Sequence, residues 1–183
     1  MHPRAFVVID IQNDYFPSGA MALHDPDAAT EHAHRALTHA RNNGVSCIVV
    51  QHINERPGAT FFRPGTQGVA MHPDFLPRAD ETHLIKHYPN AFRETALDQE
   101  LKRLGVEELV IVGMMTHMCI DTTVRAAADR AYRVTVLSDA TATRDLRFGD
   151  ATVPANMVQA AYLAALNGSF ARVMTATQWI DEA

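Results

Sequence analysis

Two kinds of apolar pattern alternate along this chain. The first is a short run of mostly β-branched residues, which predicts a strand buried on both faces of a parallel sheet. Six such runs occur, and the predicted strands are residues 5–11, 45–51, 83–86, 108–112, 133–137 and 171–174. The second pattern repeats apolar residues every three or four positions and predicts amphipathic helices between the strands.

Four such helices are predicted. They cover residues 27–43, about 97–104, about 120–131 and about 153–167. Thr95 and Asp98 have the spacing of a capping box around the start of the second helix. Pro154 near the start of the fourth helix and Gly168 after its end favour those limits.

One long segment, residues 53–81, has no sustained period and contains four prolines and three glycines. Loops of this length are usually functional or disordered. The aromatic residues Phe61, Phe62 and Phe75 favour a packed covering. We therefore expect this segment to form a lid or a pocket wall.

Alternating strands and helices predict a three-layer α/β/α fold with a six-stranded, mostly parallel sheet. The length of 183 residues fits one domain, and 47% hydrophobic residues suffice for a sizeable core. Sheets of this kind bind ligands beyond the carboxyl ends of their strands, where the strand order reverses.

Composition narrows the classes of partner. The chain has 16 Lys and Arg residues against 21 Asp and Glu residues, a net charge of −5, and no basic run, which argues against nucleic-acid binding. No apolar run approaches the roughly 20 residues that span a bilayer, and the start lacks the apolar core of a signal peptide. Two cysteines, Cys47 and Cys119, suit a reducing compartment. We expect a cytoplasmic protein that binds neither nucleic acid nor membrane.

Three reactive side chains lie where such a sheet binds its ligand. Asp10 and Lys86 come at the ends of the first and third strands, and Cys119 opens the helix after the fourth. A thiol at a helix start lies near free N–H groups and the positive dipole end, which lower its pKa. Each residue also has a structural interpretation: Cys119 as a small buried hydrophobe, Asp10 as a loop-organising acceptor, and Lys86 as a solvated lysine. Together, however, an acid, an amine and a thiol can activate a nucleophile.

The segments that carry these residues resemble a known family. VVIDIQNDYF, KHYPNAF and VGMMTHMCIDTTVRAAADR are similar to the cysteine-hydrolase branch of the isochorismatase-like superfamily, which includes nicotinamidases and N-carbamoylsarcosine amidases. The resemblance covers residues 5–174, and the Gly-x-x-Thr-x-x-Cys element at residues 113–119 is its most specific part. It implies one hydrolase domain over residues 1–183, strand order 3-2-1-4-5-6, and a homodimer or homotetramer.

The resemblance also implies a mechanism and the role of each residue in it. Asp10 is the general base, Lys86 keeps Asp10 ionised and oriented, and Cys119 attacks a substrate carbonyl to form a thioester. The backbone N–H groups of Met115 and Cys119 form the oxyanion hole, and the Met114–Met115 peptide bond is cis. Because the cysteine is present, we expect hydrolysis of a carbon–nitrogen bond in an amide, carbamoyl group or lactam. Vinyl ether hydrolysis of the isochorismate type is the alternative, and a non-catalytic binding or scaffold protein is the second.

Nicotinamidases of this family hold a metal with an Asp-x-His element after the second strand and a further histidine in the next loop. The corresponding residues here are His52, Asn54 and His72, which are a poor ligand set for zinc or iron. We therefore expect no metal and no other cofactor. The candidate substrate pocket consists of four aromatic residues and one histidine near the cysteine: Phe16, Phe61, Phe62, Tyr88 and His117.

Overall fold

The strands and helices follow the predicted alternation. The computed structural model describes residues 3–182. Among these residues the strands are Arg4–Ile9 (β1), Ser46–His52 (β2), Thr82–Lys86 (β3), Glu108–Met114 (β4), Arg133–Ala142 (β5), Leu146–Phe148 (β6), Ala151–Val153 (β7) and Arg172–Met174 (β8). The α-helices are Pro26–Asn42 (α1), Leu97–Arg103 (α2), Asp121–Ala128 (α3), Ala155–Leu166 (α4) and Ala176–Glu182 (α5).

The central sheet has six strands in the order β3-β2-β1-β4-β5-β8. Every neighbouring pair in it is parallel. The predicted sheet and its order are therefore confirmed, with β8 in the place of the sixth predicted strand. The order reverses between β1 and β4, so the carboxyl ends of these two strands border the crevice where such sheets bind ligands.

Each face of the sheet has its own apolar core, which completes the three layers. Alternate residues of β1 point to opposite faces, so Phe6 and Val8 pack with α1 and α5, whereas Val7 and Ile9 pack with α2, α3 and α4. Because both faces are covered, β1 is apolar at successive positions and not only at alternate ones.

Three elements differ from the prediction. β5 continues to Ala142, the β6–β7 hairpin precedes α4, and α5 follows β8. The polar Ser138 and Asp139 interrupt the apolar pattern of β5, and the hairpin strands have three residues each, too few to show a period. The Asp139 carboxylate accepts a hydrogen bond of 2.7 Å from the N–H of Ala176 at the start of α5.

The predicted capping box at α2 is wrong. Ala96 is the residue before the helix, and the Thr95 hydroxyl accepts a hydrogen bond of 3.2 Å from the N–H of Leu97 instead of the N–H of Asp98 that a capping box requires. The Asp98 carboxylate instead lies 2.6 Å from the Lys102 ammonium and accepts a hydrogen bond of 3.1 Å from the Tyr132 hydroxyl. These partners attract the carboxylate away from the free N–H groups at the helix start.

The long segment between β2 and β3 packs against the sheet, as its aromatic residues suggest. It contains two short 3₁₀-helices, Gln67–Val69 and Pro73–Phe75, and the side chains of Phe62 and Phe75 are fully buried. In the described part of the chain, no helix has both the length and the apolar character needed to cross a membrane.

Candidate active site

Asp10 lies directly after β1, at the carboxyl edge of the sheet. Its backbone has a positive φ of 54°, and its N–H donates to the carbonyl of Val50 in β2 over 3.0 Å. This left-handed conformation turns the chain out of the sheet. The Asp10 side chain is fully buried, so its carboxylate needs a cation or a donor nearby.

Gly113 allows β4 to lie close to the end of β1, just before Asp10. It is the register partner of Ile9, and a Cβ atom placed on it would lie 1.9 Å from the Ile9 carbonyl oxygen. Any side chain at position 113 would therefore push β4 away from the end of β1.

Lys86 supplies the cation from the edge of the sheet. It ends β3 opposite His52 of β2, and its side chain reaches across that strand towards β1. The Lys86 ammonium lies 2.7 Å from Asp10 Oδ2 and 2.8 Å from His52 Nδ1. It also donates to Cys119 Sγ over 3.2 Å and to the carbonyl of Tyr88 over 3.1 Å. The structure thus places Asp10, Lys86 and Cys119 around one buried ammonium, which local sequence patterns alone do not reveal.

The Asp10 and Lys86 charges stabilise each other. Burial acts to raise the pKa of Asp10, but the Lys86 ammonium and His52 outweigh it and hold that pKa below its ordinary value of 3.8. Burial acts to lower the pKa of Lys86, but the Asp10 carboxylate and the Cys119 sulfur outweigh it and hold that pKa above 10.5. At neutral pH the pair is therefore a carboxylate and an ammonium.

Cys119 remains a thiol in this arrangement. Burial, followed by the Asp10 charge, raises the pKa of Cys119 above its ordinary value of 9.0, although Lys86 acts in the opposite direction. The expectation that the helix start lowers this pKa is wrong, because desolvation outweighs the favourable dipole. The site therefore pairs a neutral thiol with an ionised carboxylate that can accept its proton.

The thiol is presented by an irregular turn between β4 and α3. Residues Thr116–Ile120 form a π-helix, in which the Met115 carbonyl accepts hydrogen bonds from the N–H groups of Met118 and Ile120. The Met114–Met115 peptide bond is cis, as the resemblance implied. The oxyanion-hole role of the Met115 and Cys119 N–H groups stays a prediction.

The five candidate pocket residues do not share one environment. Phe61 and Phe62 pack against each other with tilted rings at 5.0 Å between centroids, and Phe62 lies 5.8 Å from the His52 ring, so this pair reaches the candidate active site. Tyr88 reaches it through its carbonyl, while its ring lies under the Arg93 guanidinium at 3.6 Å. Phe16 packs on His72 at 4.8 Å, and the His117 ring is bonded to the Thr143 hydroxyl at 2.6 Å.

The residues at this position do not fit a metal centre. Asp10, His52 and Cys119 offer ligand atoms within 4.8 Å of one another, but the Lys86 ammonium already contacts all three. A metal ion would have to displace that cation. His72, the predicted further ligand, accepts instead from the N–H of Asp74 and packs against Phe16.

Sequence reasoning missed the supporting residues around the cluster. Gln12 is fully buried. Its side-chain oxygen accepts a hydrogen bond of 2.8 Å from the N–H of His52, and its side-chain nitrogen donates one of 2.9 Å to the carbonyl of His52. These two bonds fix the start of the long segment. Asp14 accepts from the N–H groups of Ala20 and Phe62 and so performs the loop-organising role considered for Asp10. The signal in the sequence was two polar side chains, Gln12 and Asp14, following an apolar strand.

Comparison with protein families gives a match over nearly the whole chain. The model of the isochorismatase domain matches residues 4–178. An uncharacterised isochorismatase family protein of Bacillus subtilis is 50% identical over 93% of this chain and 95% of its own length. A streptothricin hydrolase of Streptomyces noursei is 34% identical over 84% of this chain and 61% of its own length. The nicotinamidase of Escherichia coli is 25% identical over 76% of this chain and 83% of its own length.

Solved structures agree in fold. A proposed isochorismatase hydrolase from Oleispira antarctica superposes with a TM-score of 0.94 at 39% identity, covering 98% of this chain and 97% of that one. A cysteine hydrolase from Pseudomonas syringae superposes with a TM-score of 0.91 at 26% identity, covering 98% and 91% of the two chains.

Proposed function

Because the chain belongs to the isochorismatase family of hydrolases, we propose that it cleaves a carbon–nitrogen bond of a small molecule with Cys119 as the nucleophile. The observation that carries this proposal is the Lys86 ammonium, which lies within hydrogen-bond distance of both Asp10 and Cys119. The streptothricin hydrolase, nicotinamidase and cysteine hydrolase among its relatives support amide chemistry over ether chemistry.

Each step follows from the charges at the site. Asp10 takes the thiol proton, and the Cys119 sulfur attacks the substrate carbonyl while Lys86 balances the negative charge that moves from carboxylate to sulfur. The carbonyl oxygen becomes an oxyanion that accepts from the N–H groups of Met115 and Cys119. When the carbon–nitrogen bond breaks, the protonated Asp10 returns its proton to the leaving nitrogen. A thioester on Cys119 remains.

Water completes the reaction. Asp10, again a carboxylate, takes a proton from a water molecule that attacks the thioester carbonyl, and the acid leaves as the Cys119 thiol re-forms. The atoms balance as an amide and water giving an acid and an amine or ammonia. The aromatic residues Phe61 and Phe62, with Phe16, Tyr88 and His117, are the proposed substrate walls.

A substrate panel tests this function against its two alternatives. The purified protein is incubated with small amides, ureas, lactams and isochorismate, while ammonia and acid products are measured. We expect release of ammonia or amine, and we expect Cys119→Ala to lower turnover by about a thousandfold or more because the covalent nucleophile is gone. Cys47 is the matched control, since it is buried in β2 with a pKa raised to about 12 by burial, and Cys47→Ala keeps turnover near wild type.

Other results of the substrate panel would support one of the two alternative functions. Isochorismate cleavage that survives Cys119→Ala would establish the ether hydrolase. Binding without turnover of any compound would favour the non-catalytic scaffold.

Both cysteines are free thiols, and a nucleophile that must stay reduced supports our proposal of a cytoplasmic location.

A further inference from the structure

Arg144 follows β5 beside the candidate active site. Its Nε atom is buried and makes no hydrogen bond to the described residues, while the residue as a whole remains partly exposed. A buried guanidinium nitrogen without an acceptor is unfavourable, and native structures usually satisfy such groups. An acceptor that arrives with the substrate would satisfy it.

The register of the sheet places Arg144 next to the proposed oxyanion hole. Met114, at the end of β4, pairs with Ala142 at the end of β5. Beyond these ends the chain continues with Met115 after β4 and with Thr143 and Arg144 after β5. The hydrogen bond of 2.6 Å between His117 and the Thr143 hydroxyl ties the two continuations together one turn from Cys119.

The electrostatic influence of Arg144 reaches residues on both sides of the site. Its charge acts with burial to lower the pKa of His117, and it opposes the strong increase that burial produces in the pKa of Tyr15. The carboxylates of Asp10 and Asp14 act with burial to raise the pKa of Tyr15. Neither the neutral His117 nor the neutral Tyr15 can balance the guanidinium.

The catalytic cluster offers no negative charge to offset Arg144, because Asp10 and Lys86 cancel each other and Cys119 is a neutral thiol. The Asp14 carboxylate, which also influences Tyr15, accepts hydrogen bonds from the N–H groups of Ala20 and Phe62. The hydroxyl of Thr116, in the turn that presents Cys119, is also buried without a partner among the described residues. Both atoms are donors, and both suit an acceptor oxygen.

We propose that Arg144 binds a carboxylate of the substrate, so that the preferred substrates are small amides that carry a free carboxylate. This inference rests on the proposed function, because it names the substrate class of the same site. A planar guanidinium is the side chain best suited to bind a carboxylate through two parallel hydrogen bonds.

Paired substrates isolate the contribution of the charge. Malonamate, succinamate and glutaramate each present a primary amide at a different distance from a carboxylate, and the methyl ester of each keeps the amide but lacks the charge. For the acid of best-fitting length, we expect kcat/KM to exceed that of its ester by roughly tenfold to a hundredfold, the range of charge-assisted hydrogen bonds. Arg144→Gln should abolish this preference by slowing the acid only, and Arg144→Lys should restore part of it.

Arg147 is the matched control, since it lies three residues further on, is exposed and belongs to β6. Arg147→Gln should leave the preference for the acid unchanged. Equal rates for acid and ester in the wild type, or equal slowing of both by Arg144→Gln, would overturn the inference and leave carbon–nitrogen hydrolysis intact.

A binding measurement decides the inference even if no amide turns over. Calorimetric titration of wild type and Arg144→Gln with malonate, succinate and glutarate should show binding that the variant loses. Binding with no turnover of any amide would contradict the proposed function and support the carboxylate site. The absence of binding and of any preference for the acids would overturn the carboxylate site.

Discussion

At the scale of single residues, the central feature is an ion pair that is sealed from water. Asp10 and Lys86 are both buried, and their pKa values move apart from their ordinary values of 3.8 and 10.5. The proposed base is therefore ionised across the whole physiological range. In the proposed mechanism the Cys119 thiol stays protonated until the substrate is bound and Asp10 removes the proton.

The pKa directions predict the pH profile. A general base with a lowered pKa keeps its active, deprotonated form in more acidic solution, so the acidic limb of kcat/KM should lie below about pH 4. The measurement is kcat/KM from pH 3 to 9 for whichever panel substrate turns over, with circular dichroism as a check that the protein remains folded. An acidic limb near neutral pH would show that a group other than Asp10 is the base.

The same pair makes stability depend on pH. Because the folded pKa of Asp10 is lowered, its contribution is present above 3.8 and is lost as the pH falls through the folded value. Because the folded pKa of Lys86 is raised, its contribution is present below 10.5 and is lost as the pH rises through the folded value. Asp10→Asn should therefore flatten the acidic side of a plot of unfolding free energy against pH. An unchanged acidic side in that variant would contradict the assignment.

The position of Lys86 also predicts that activity does not depend on a metal. The ammonium occupies the centre of the Asp10, His52 and Cys119 ligand atoms, so a divalent ion would have to displace it. Treatment with a chelator should leave turnover unchanged, and elemental analysis should find less than one metal per chain. One zinc or iron per chain, with activity lost on its removal, would contradict this prediction.

At the scale of elements, the approach of β4 to β1 depends on Gly113. The residue has a φ of +126°, and a Cβ atom there would overlap the Ile9 carbonyl oxygen. We expect Gly113→Ala to lower the free energy of unfolding by about 2 kcal/mol or more, because both backbone strain and steric overlap oppose the methyl group. Chemical denaturation measures this loss.

Gly58 is the matched control for Gly113→Ala. It also has a positive φ, +79°, but nothing lies within 4 Å of a Cβ atom placed on it. Gly58→Ala should therefore cost only about 1 kcal/mol, the backbone contribution alone. Equal losses for the two variants would show that the overlap at Gly113 is relieved by a small shift.

At the scale of the whole molecule, apolar surface remains on the protomer. From the sequence we expect Met114, Met115, Met118 and the segment from Phe61 to Phe75 to supply it. This is wrong for Met114, Met115 and Phe75, which are buried, whereas Met118 is 39% exposed. The most exposed large apolar side chains lie on the β6–β7 hairpin and on α4, where Phe148 is 87% exposed and Met157 is 58% exposed. α4 contains no charged residue.

We therefore propose that copies of this chain associate through the hairpin and α4 as a homodimer or homotetramer. A helix without charge and with exposed Met157 is unusual for a surface that faces water. Sedimentation at micromolar concentration should show an oligomer, and Phe148→Asp or Met157→Glu should shift it towards the monomer. Leu76→Glu, at an exposed residue of the long segment, is the control that should not. A 20 kDa species in the wild type would contradict the proposal.

The amino-acid sequence by itself determined the alternation of strands and helices, because the spacing of apolar residues in each element shows which of its faces are buried. It also identified Asp10, Lys86 and Cys119 as the residues of chemical interest, because a motif can be recognised within a few neighbouring positions. The three-residue strands β6 and β7 are too short for this kind of reasoning.

Only the tertiary structure decided what these residues do to one another. Lys86 meets Asp10 and Cys119 because the carboxyl ends of β3, β1 and β4 lie at the same edge of the sheet, although the lysine and the cysteine are 33 positions apart in the sequence. The raised pKa of the thiol, and the lack of a partner for Arg144 Nε among the described residues, likewise depend on which distant segments exclude water. The burial of a side chain and the charges around it depend on segments from the whole chain, so they cannot be inferred from a local sequence pattern.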